Sequence, residues 1–329
     1  MFAHDVERRA VGALRALAIG DALGTPVVHC TSQQIVQTYG GPIQGFVDPV
    51  LYRGPAELRW ERGEVTDDTM QTLALAKALV LASGVRREVF GRELLHISDR
   101  YCRPGKACGT FKARGDPNGV ACGGTGNGAA MRIAPIGIAV PHCQGRELIE
   151  AVVSVSTLTH NTPVAIAGAV AIAAAVSVAV EGGGRSDVIS EARAHVTQYE
   201  HMAGVQPVLS DAVDRAIVCG AEVFVASLAQ AGEWGFTPTE SVPCALAIIA
   251  AETRVAPALL KAVNLGGDAD TVAAMVGTIA GALNPDNVPT AWAEFVETTN
   301  KLDLASLARL LVQLRCERRS ASWTPRHHG

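Results

Sequence analysis

Aromatic residues make up only 5% of this 329-residue chain, although 48% of it is hydrophobic. Its core must therefore be built mainly from alanine and valine, and small side chains let helices approach closely. Basic blocks are also missing. The net charge is −4, so no electrostatic surface for nucleic acid is indicated. Near the C-terminus Arg315, Arg318, Arg319 and Arg326, interrupted by Glu317, read as a solvated end. The eight cysteines form no Cys-x-x-Cys pair and no Cys/His set at zinc-ligand spacing, which argues against a zinc site. Asp5, Glu7, Arg8 and Arg9 precede any apolar run, which is not the order of a secretory leader. The expectation is a cytoplasmic chain with reduced thiols.

Strand signals are as scarce as rings. No βαβ alternation and no fixed repeat emerge, which disfavours α/β barrels and solenoids. Helical patterns cover about 6–19, 67–81 and 87–100, and then most of the chain from 128 onwards. The loop-rich stretches are Gly24–Gly63 and Arg103–Gly128, and the second is too long to be an idle connection. Pro163 to Val180 carries no charge and is barely long enough to span a membrane. It has few large apolar residues, no charge asymmetry at its flanks and no aromatic belt, so it reads as a buried central helix. With no Pro/Ser-rich linker, the chain reads as one all-α domain, residues 1–329.

What is present is acid in two places. Thr66-Asp67-Asp68-Thr69 and Gly266-Gly267-Asp268-Ala269-Asp270-Thr271 lie about two hundred residues apart, each followed by an alanine-rich helical stretch. Carboxylates are favoured at helix N-termini by unpaired backbone N–H groups and the helix dipole, so each cluster alone can be a cap. Taken together, four carboxylates and two hydroxyls are the hard oxygen ligands that Mg²⁺ or Mn²⁺ requires.

The motifs run in a telling order. Gly20-Asp21-Ala22-Leu23-Gly24 precedes the first acidic cluster. Gly126-Asn127-Gly128-Ala129-Ala130-Met131-Arg132, Pro135-Ile136-Gly137 and Leu158-Thr159-His160 follow, and Asn264-Leu265 leads into the second cluster. From about residue 12 to residue 283 the chain resembles the ADP-ribosylglycohydrolase family. The resemblance implies a compact all-α orthogonal bundle with two Mg²⁺ or Mn²⁺ ions at the bottom of a cleft. Their ligands would be Thr66, Asp67, Asp68, Asp268, Asp270 and Thr271. It also implies that the loop Gly123-Gly124-Thr125-Gly126-Asn127-Gly128 receives the diphosphate and ribose of ADP-ribose, with His160 in contact with ligand.

Breaking the bond at ribose C1″ builds positive charge on the sugar. Two metal ions can orient water, lower its pKa and hold the ribose hydroxyls. Asp67, Asp68 or Asp270 would accept the water's proton. Asp21 either orients a metal ligand or caps a helix. Met131 and Arg132 read as packing and a buried ion pair. Lys106, Cys108, Lys112 and Arg114 are candidates to meet the acceptor.

The chain also departs from the family. Many members carry a glutamate four residues after the Gly-Asp-Ala-Leu-Gly run, on a loop that approaches the metals. Val28 stands there in this chain, and Glu57, Glu61 and Glu64 are the candidates to replace it. The leading expectation is a metal-dependent hydrolase acting on an ADP-ribosylated protein or a small ADP-ribosyl or ribosyl substrate. The alternatives are processing of a nucleoside-type metabolite, or ADP-ribose binding without catalysis. Neither nucleic acid nor membrane is expected as a partner.

Overall fold

The first helix, Phe2–Gly24, and the last acidic helix, Ala269–Leu283, pack side by side although they are far apart in sequence. Their contact is a ladder of small residues. A Cβ built on Gly20 would lie 2.2 Å from the Ala273 carbonyl oxygen, and one on Gly277 would lie 2.1 Å from that of Ala16. Only a missing Cβ permits backbones this close. The paired positions run in opposite directions, Gly12 against Gly281 and Gly24 against Asp270, so the helices are antiparallel. This explains a difference from the sequence expectation. Gly20 does not stop the first helix at Ile19; the helix continues to Gly24, because that glycine is a packing contact rather than a terminator.

The computed structural model describes residues 2–51, 59–102, 106–228 and 234–322, without the side chains of residues 2, 3, 102, 106 and 319–322. The described residues are mostly helical, as the sequence predicts. Helices Asp67–Leu81 and Pro163–Val180 have the predicted bounds. The second is buried along nearly its whole length by surrounding helices, among them Ala134–Ala139, Arg185–Ala203, Pro238–Ala251 and Ala269–Leu283.

Other boundaries moved for local reasons. The stretch predicted as one helix from Leu209 to Gln230 breaks into Val208–Cys219 and Ala221–Ser227 at Gly220, whose φ is +81°. The expected loop after Gly24 contains helix Ser32–Tyr39, opened by a reciprocal cap between Thr31 and Gln34. The long loop after Arg103 contains helix Lys106–Arg114. The only strand pairing among the described residues is a two-residue antiparallel bridge, with Cys30 opposite Gly267 and Thr31 opposite Gly266. It ties the chain after the first helix to the second acidic cluster.

Arg315 corrects the reading of the C-terminus. It is 1% exposed on helix Leu304–Ser322, not solvated. Its guanidinium donates to the carbonyls of Gly137, Ile138 and Val140, to Ser177 Oγ, and to Glu181. A buried guanidinium is tolerable only with such partners. Glu181 is correspondingly acidic. His142 and Arg315 outweigh the effect of its burial and hold its carboxyl down at about 2. Arg326 and the side chain of Arg319 lie outside the described residues.

Candidate metal and substrate site

The two acidic clusters meet. Thr66 caps helix Asp67–Leu81, its Oγ1 accepting from the Asp68 N–H at 3.4 Å, which places Asp67 and Asp68 in the first turn. Asp268 precedes helix Ala269–Leu283 but makes no side-chain cap, so the simple capping explanation fails for it. The Gly266 and Gly267 backbones, at φ +75° and +68°, deliver Asp268 and Asp270 to the same spot. A Cβ on Gly266 would lie 2.0 Å from the Cys30 carbonyl oxygen, so the turn needs glycine there for both conformation and space.

Ligand atoms of Asp21, Asp68 and Asp270 lie within 4.8 Å of one another. Of these, Asp21 is already saturated. It is fully buried and accepts from the N–H and Oγ1 of both Thr66 and Thr69. It therefore fixes the start of the acidic helix rather than offering an open oxygen. Asp68 is the opposite case: its Oδ1 is buried and has no hydrogen-bond partner. Burial, then repulsion from Asp270 and the other carboxylates, raises its pKa well above the ordinary value. Burial likewise dominates the upward shifts of Asp268 and Asp270, and pushes Asp21 up to about 6. An orphaned carboxylate oxygen amid repelling carboxylates fits a divalent cation, because hard oxygen donors and uncompensated negative charge are what it requires.

Above this floor is a cleft of about 840 Å³. Thr66, Asp67, Asp68, Asp268, Asp270 and Thr271 all line it. So do Gly126, Asn127, Gly128 and His160 from the predicted substrate loop. Gly123, Gly124 and Thr125 do not. Gly123 accepts from the Asn161 N–H and Gly124 from Thr162 Oγ1, so this half of the loop suspends the other half. The Asn127 N–H is also spent, on the Phe236 carbonyl. The Asn127 side-chain amide donates to the Gly235 carbonyl at 2.7 Å and to Asp268 Oδ2 at 2.6 Å. Asn127 thus couples the substrate loop to the acidic turn.

His160 is tied to Thr159 and, through it, to Arg132. Arg132, which can only donate, gives a hydrogen bond to Thr159 Oγ1. Thr159 Oγ1 lies 2.8 Å from His160 Nδ1; with the Thr159 proton given to Nδ1, the imidazole proton sits on Nε2. Burial, and after it the charge of Arg132, pulls His160 down to about 3, so the ring that lines the cleft is neutral. Arg132 is buried as expected, whereas Met131, expected to pack, also lines the cleft. Besides Thr159, Arg132 meets Gln71 Oε1 and the face of Phe90, 5.3 Å from the ring centroid.

Several lining residues had no motif to mark them. Gln71, one helical turn after Asp67, donates to Asp67 Oδ2 and to the Tyr101 carbonyl, both at 3.2 Å. Its i+4 position was the available signal. Trp60, with Arg100 over its ring at 4.2 Å, and Phe236 also line the cleft. Their positions follow from loops, and no spacing rule reaches them.

Among the candidates to meet the acceptor, Cys108 lines the cleft. Lys112 is engaged by Asp99 and the Ile97 carbonyl, and Arg114 by the carbonyls of Gly119, Val120 and Leu158. The Lys106 side chain lies outside the described residues. Val28, at the position where the resemblance implies a glutamate, lines the cleft. Glu61 and Glu64 do not line it, and Glu64 is bound to Arg100 at 2.8 Å. Glu57 lies outside the described residues.

Comparison with known proteins gives a consistent result. The ADP-ribosylglycohydrolase family profile matches residues 3–321. An uncharacterized Escherichia coli K12 protein, YegU, is 31% identical, the match covering 94% of this chain and 98% of that protein. The ADP-ribosyl-[dinitrogen reductase] glycohydrolase of Rhodospirillum rubrum is 28% identical over 89% of this chain and 91% of its own. A solved ADP-ribosylglycohydrolase-related protein complex superposes with a TM-score of 0.66 at 27% identity, covering 95% of this chain and 99% of its own. By sequence match along nearly its whole length, and by fold, the chain belongs to the ADP-ribosylglycohydrolase family of hydrolases.

Proposed function

We propose that this chain cleaves the bond at ribose C1″ of an ADP-ribosylated side chain or small acceptor, using two divalent cations, Mg²⁺ or Mn²⁺. The observation that carries the reading is the buried, unpartnered Asp68 Oδ1 within the carboxylate cluster. Thr66, Asp67, Asp68, Asp268, Asp270 and Thr271 would hold the cations. When bound, such ions acidify water and neutralise the charge of the cluster. Asp21 keeps Thr66 and Asp68 in place by anchoring the helix start. Asn127 keeps Asp268 in place.

One cleft carboxylate, Asp67, Asp68 or Asp270, takes the proton from the attacking water. The neutral His160 offers its Nε2–H to a substrate oxygen without bringing charge of its own, and the backbone at Gly126 and Gly128 leaves room for it. A Cβ on Gly128 would lie 3.0 Å from that nitrogen. The R. rubrum relative is by its name a hydrolase of an ADP-ribosylated protein, which supports a modified protein as substrate.

The test is release of ADP-ribose from ADP-ribosylarginine and ADP-ribosylserine by metal-stripped protein, with and without added Mg²⁺ or Mn²⁺. Metal-dependent release is the expected result. Binding of ADP-ribose with no release from either substrate would instead point to a small riboside substrate or a binding role.

A further inference from the structure

The loop that lost its carboxylate has an imidazole beside the gap. His29 follows Val28 directly, and both line the cleft. His29 adopts φ +63°, a left-handed conformation that few non-glycine residues take and that often marks a functional position. Several neighbours hold it there. Its N–H donates to the Gly267 carbonyl at 2.9 Å, next to Asp268. The following residues, Cys30 and Thr31, form the bridge to Gly266 and Gly267. Its ring stacks on Phe236, with centroids 4.7 Å apart and planes 19° apart. Phe236 itself is fixed through its carbonyl, which accepts the Asn127 N–H. The imidazole is thus oriented by the acidic turn and, through Phe236, by the substrate loop.

Resting on the functional reading above, we propose that His29 takes the place of the missing loop carboxylate: its imidazole N–H hydrogen-bonds to the substrate atom that leaves C1″. As the water oxygen bonds to C1″, the electron pair of the breaking bond passes to that leaving atom. The water gives one proton to a cleft carboxylate, and the leaving group gains one from solvent. His29 keeps its own proton throughout and stabilises the charge gathering on the leaving atom. A fixed donor aimed at developing charge is an effective use of one residue.

The experiment compares the full-length protein with His29→Phe, and with His29→Phe combined with Val28→Glu, all loaded with Mg²⁺. The substrate is whichever of ADP-ribosylarginine and ADP-ribosylserine the unmodified chain cleaves. Phenylalanine keeps the ring stack and removes the donor. His29→Phe is expected to lower kcat by ~100-fold while the ADP-ribose Kd, measured by calorimetry, stays within about twofold. Adding Val28→Glu should restore part of kcat at acidic pH, where the added carboxyl is protonated and can donate in place of the imidazole. Where the left-handed backbone destabilises the phenylalanine variant, His29→Asn serves instead. Asparagine accepts that conformation and keeps a shorter donor, so it should retain intermediate activity.

Unchanged kcat in His29→Phe overturns the proposal, as does a fall in kcat matched by an equal loss of ADP-ribose binding. So does a double variant no more active than the single one at acidic pH. If the unmodified chain cleaves neither substrate, the functional reading fails first, and this inference with it.

Discussion

Asp68 is costly to the fold, and the cost is informative. Its Oδ1 has no partner, and its charge is opposed by burial and by Asp270, Asp21, Asp67 and Asp268. Asp68→Asn removes that charge with little change of shape. It should therefore raise the melting temperature of the metal-free protein while lowering metal-dependent turnover by at least ~100-fold. Full activity in this variant would sink the metal reading. His160 makes a separate prediction, because its state is set by the chain Arg132 to Thr159 to His160. A ¹⁵N NMR spectrum should show Nδ1 bare and Nε2 protonated from neutral pH down to the pKa of about 3. Thr159→Val takes away the proton that fixes the tautomer, and mixed tautomers should then appear. An unchanged spectrum in that variant would mean that something else orients the ring.

The antiparallel pair Phe2–Gly24 and Ala269–Leu283 is the element on which the site is mounted. It brings Asp21 from the first helix to the start of the last acidic helix, where Asp270 lies. The pair can do this only because Gly12, Ala16, Gly20 and Gly24 recur every fourth residue and face small partners. A methyl group at Gly20 would meet the Ala273 carbonyl at 2.2 Å. Gly20→Ala should therefore destabilise by about 1–3 kcal/mol, as overpacked contacts do, despite alanine's better helix propensity. Urea unfolding would measure it. A stabilised variant would show that the two helices can slide apart without penalty. The same shift should separate Asp21 from Thr66, so metal affinity should fall along with stability.

Across the protein the buried carboxylates make stability depend on pH and metal together. In the metal-free state burial, ahead of all other causes, raises Asp68, Asp268, Asp270 and Asp21. As pH climbs past 3.8, the unfolded chain loses these protons while the folded chain keeps them. The stability these four carboxyls contribute should therefore be fully present below 3.8 and decline as pH rises through the window to about 6 set by Asp21, and beyond it for the more strongly raised groups. His160 works in the opposite sense, since its lowered pKa removes stability as pH falls below 6.5 towards about 3. Glu181, held down at about 2, likewise removes stability as pH falls below 4.5. Added Mg²⁺ or Mn²⁺ should abolish the decline and release protons on binding. Thermal melts across pH, with and without metal, would check the first effect, and calorimetry in buffers of different ionisation enthalpy the second. A metal-free protein that gains stability steadily through that window would contradict the electrostatic account.

The residues that carry charge and turn chemistry made much of this legible in advance. Asp67 and Asp68 after Thr66, and Asp268 and Asp270 after two glycines, are local patterns, and local patterns survive in any fold that keeps the helices. The long apolar run from Pro163 to Val180 announced a buried helix because its composition leaves it no polar face. Contacts made across the chain were out of reach. Gly20 looked like a helix stop because its partner, Ala273, lies more than two hundred residues away. Arg315 looked like a surface charge because the carbonyls that receive it belong to residues 137–140. The bonds from Asn161 and Thr162 to the carbonyls of Gly123 and Gly124 were equally out of reach. The sequence by itself determined the helical class, the two acidic clusters and the glycines that shape the turns, since these depend on neighbours along the chain. Tertiary structure alone decided which oxygen is left without a partner and that His29 lines the cleft stacked on Phe236, because hydrogen-bond partners and burial are properties of contacts in space.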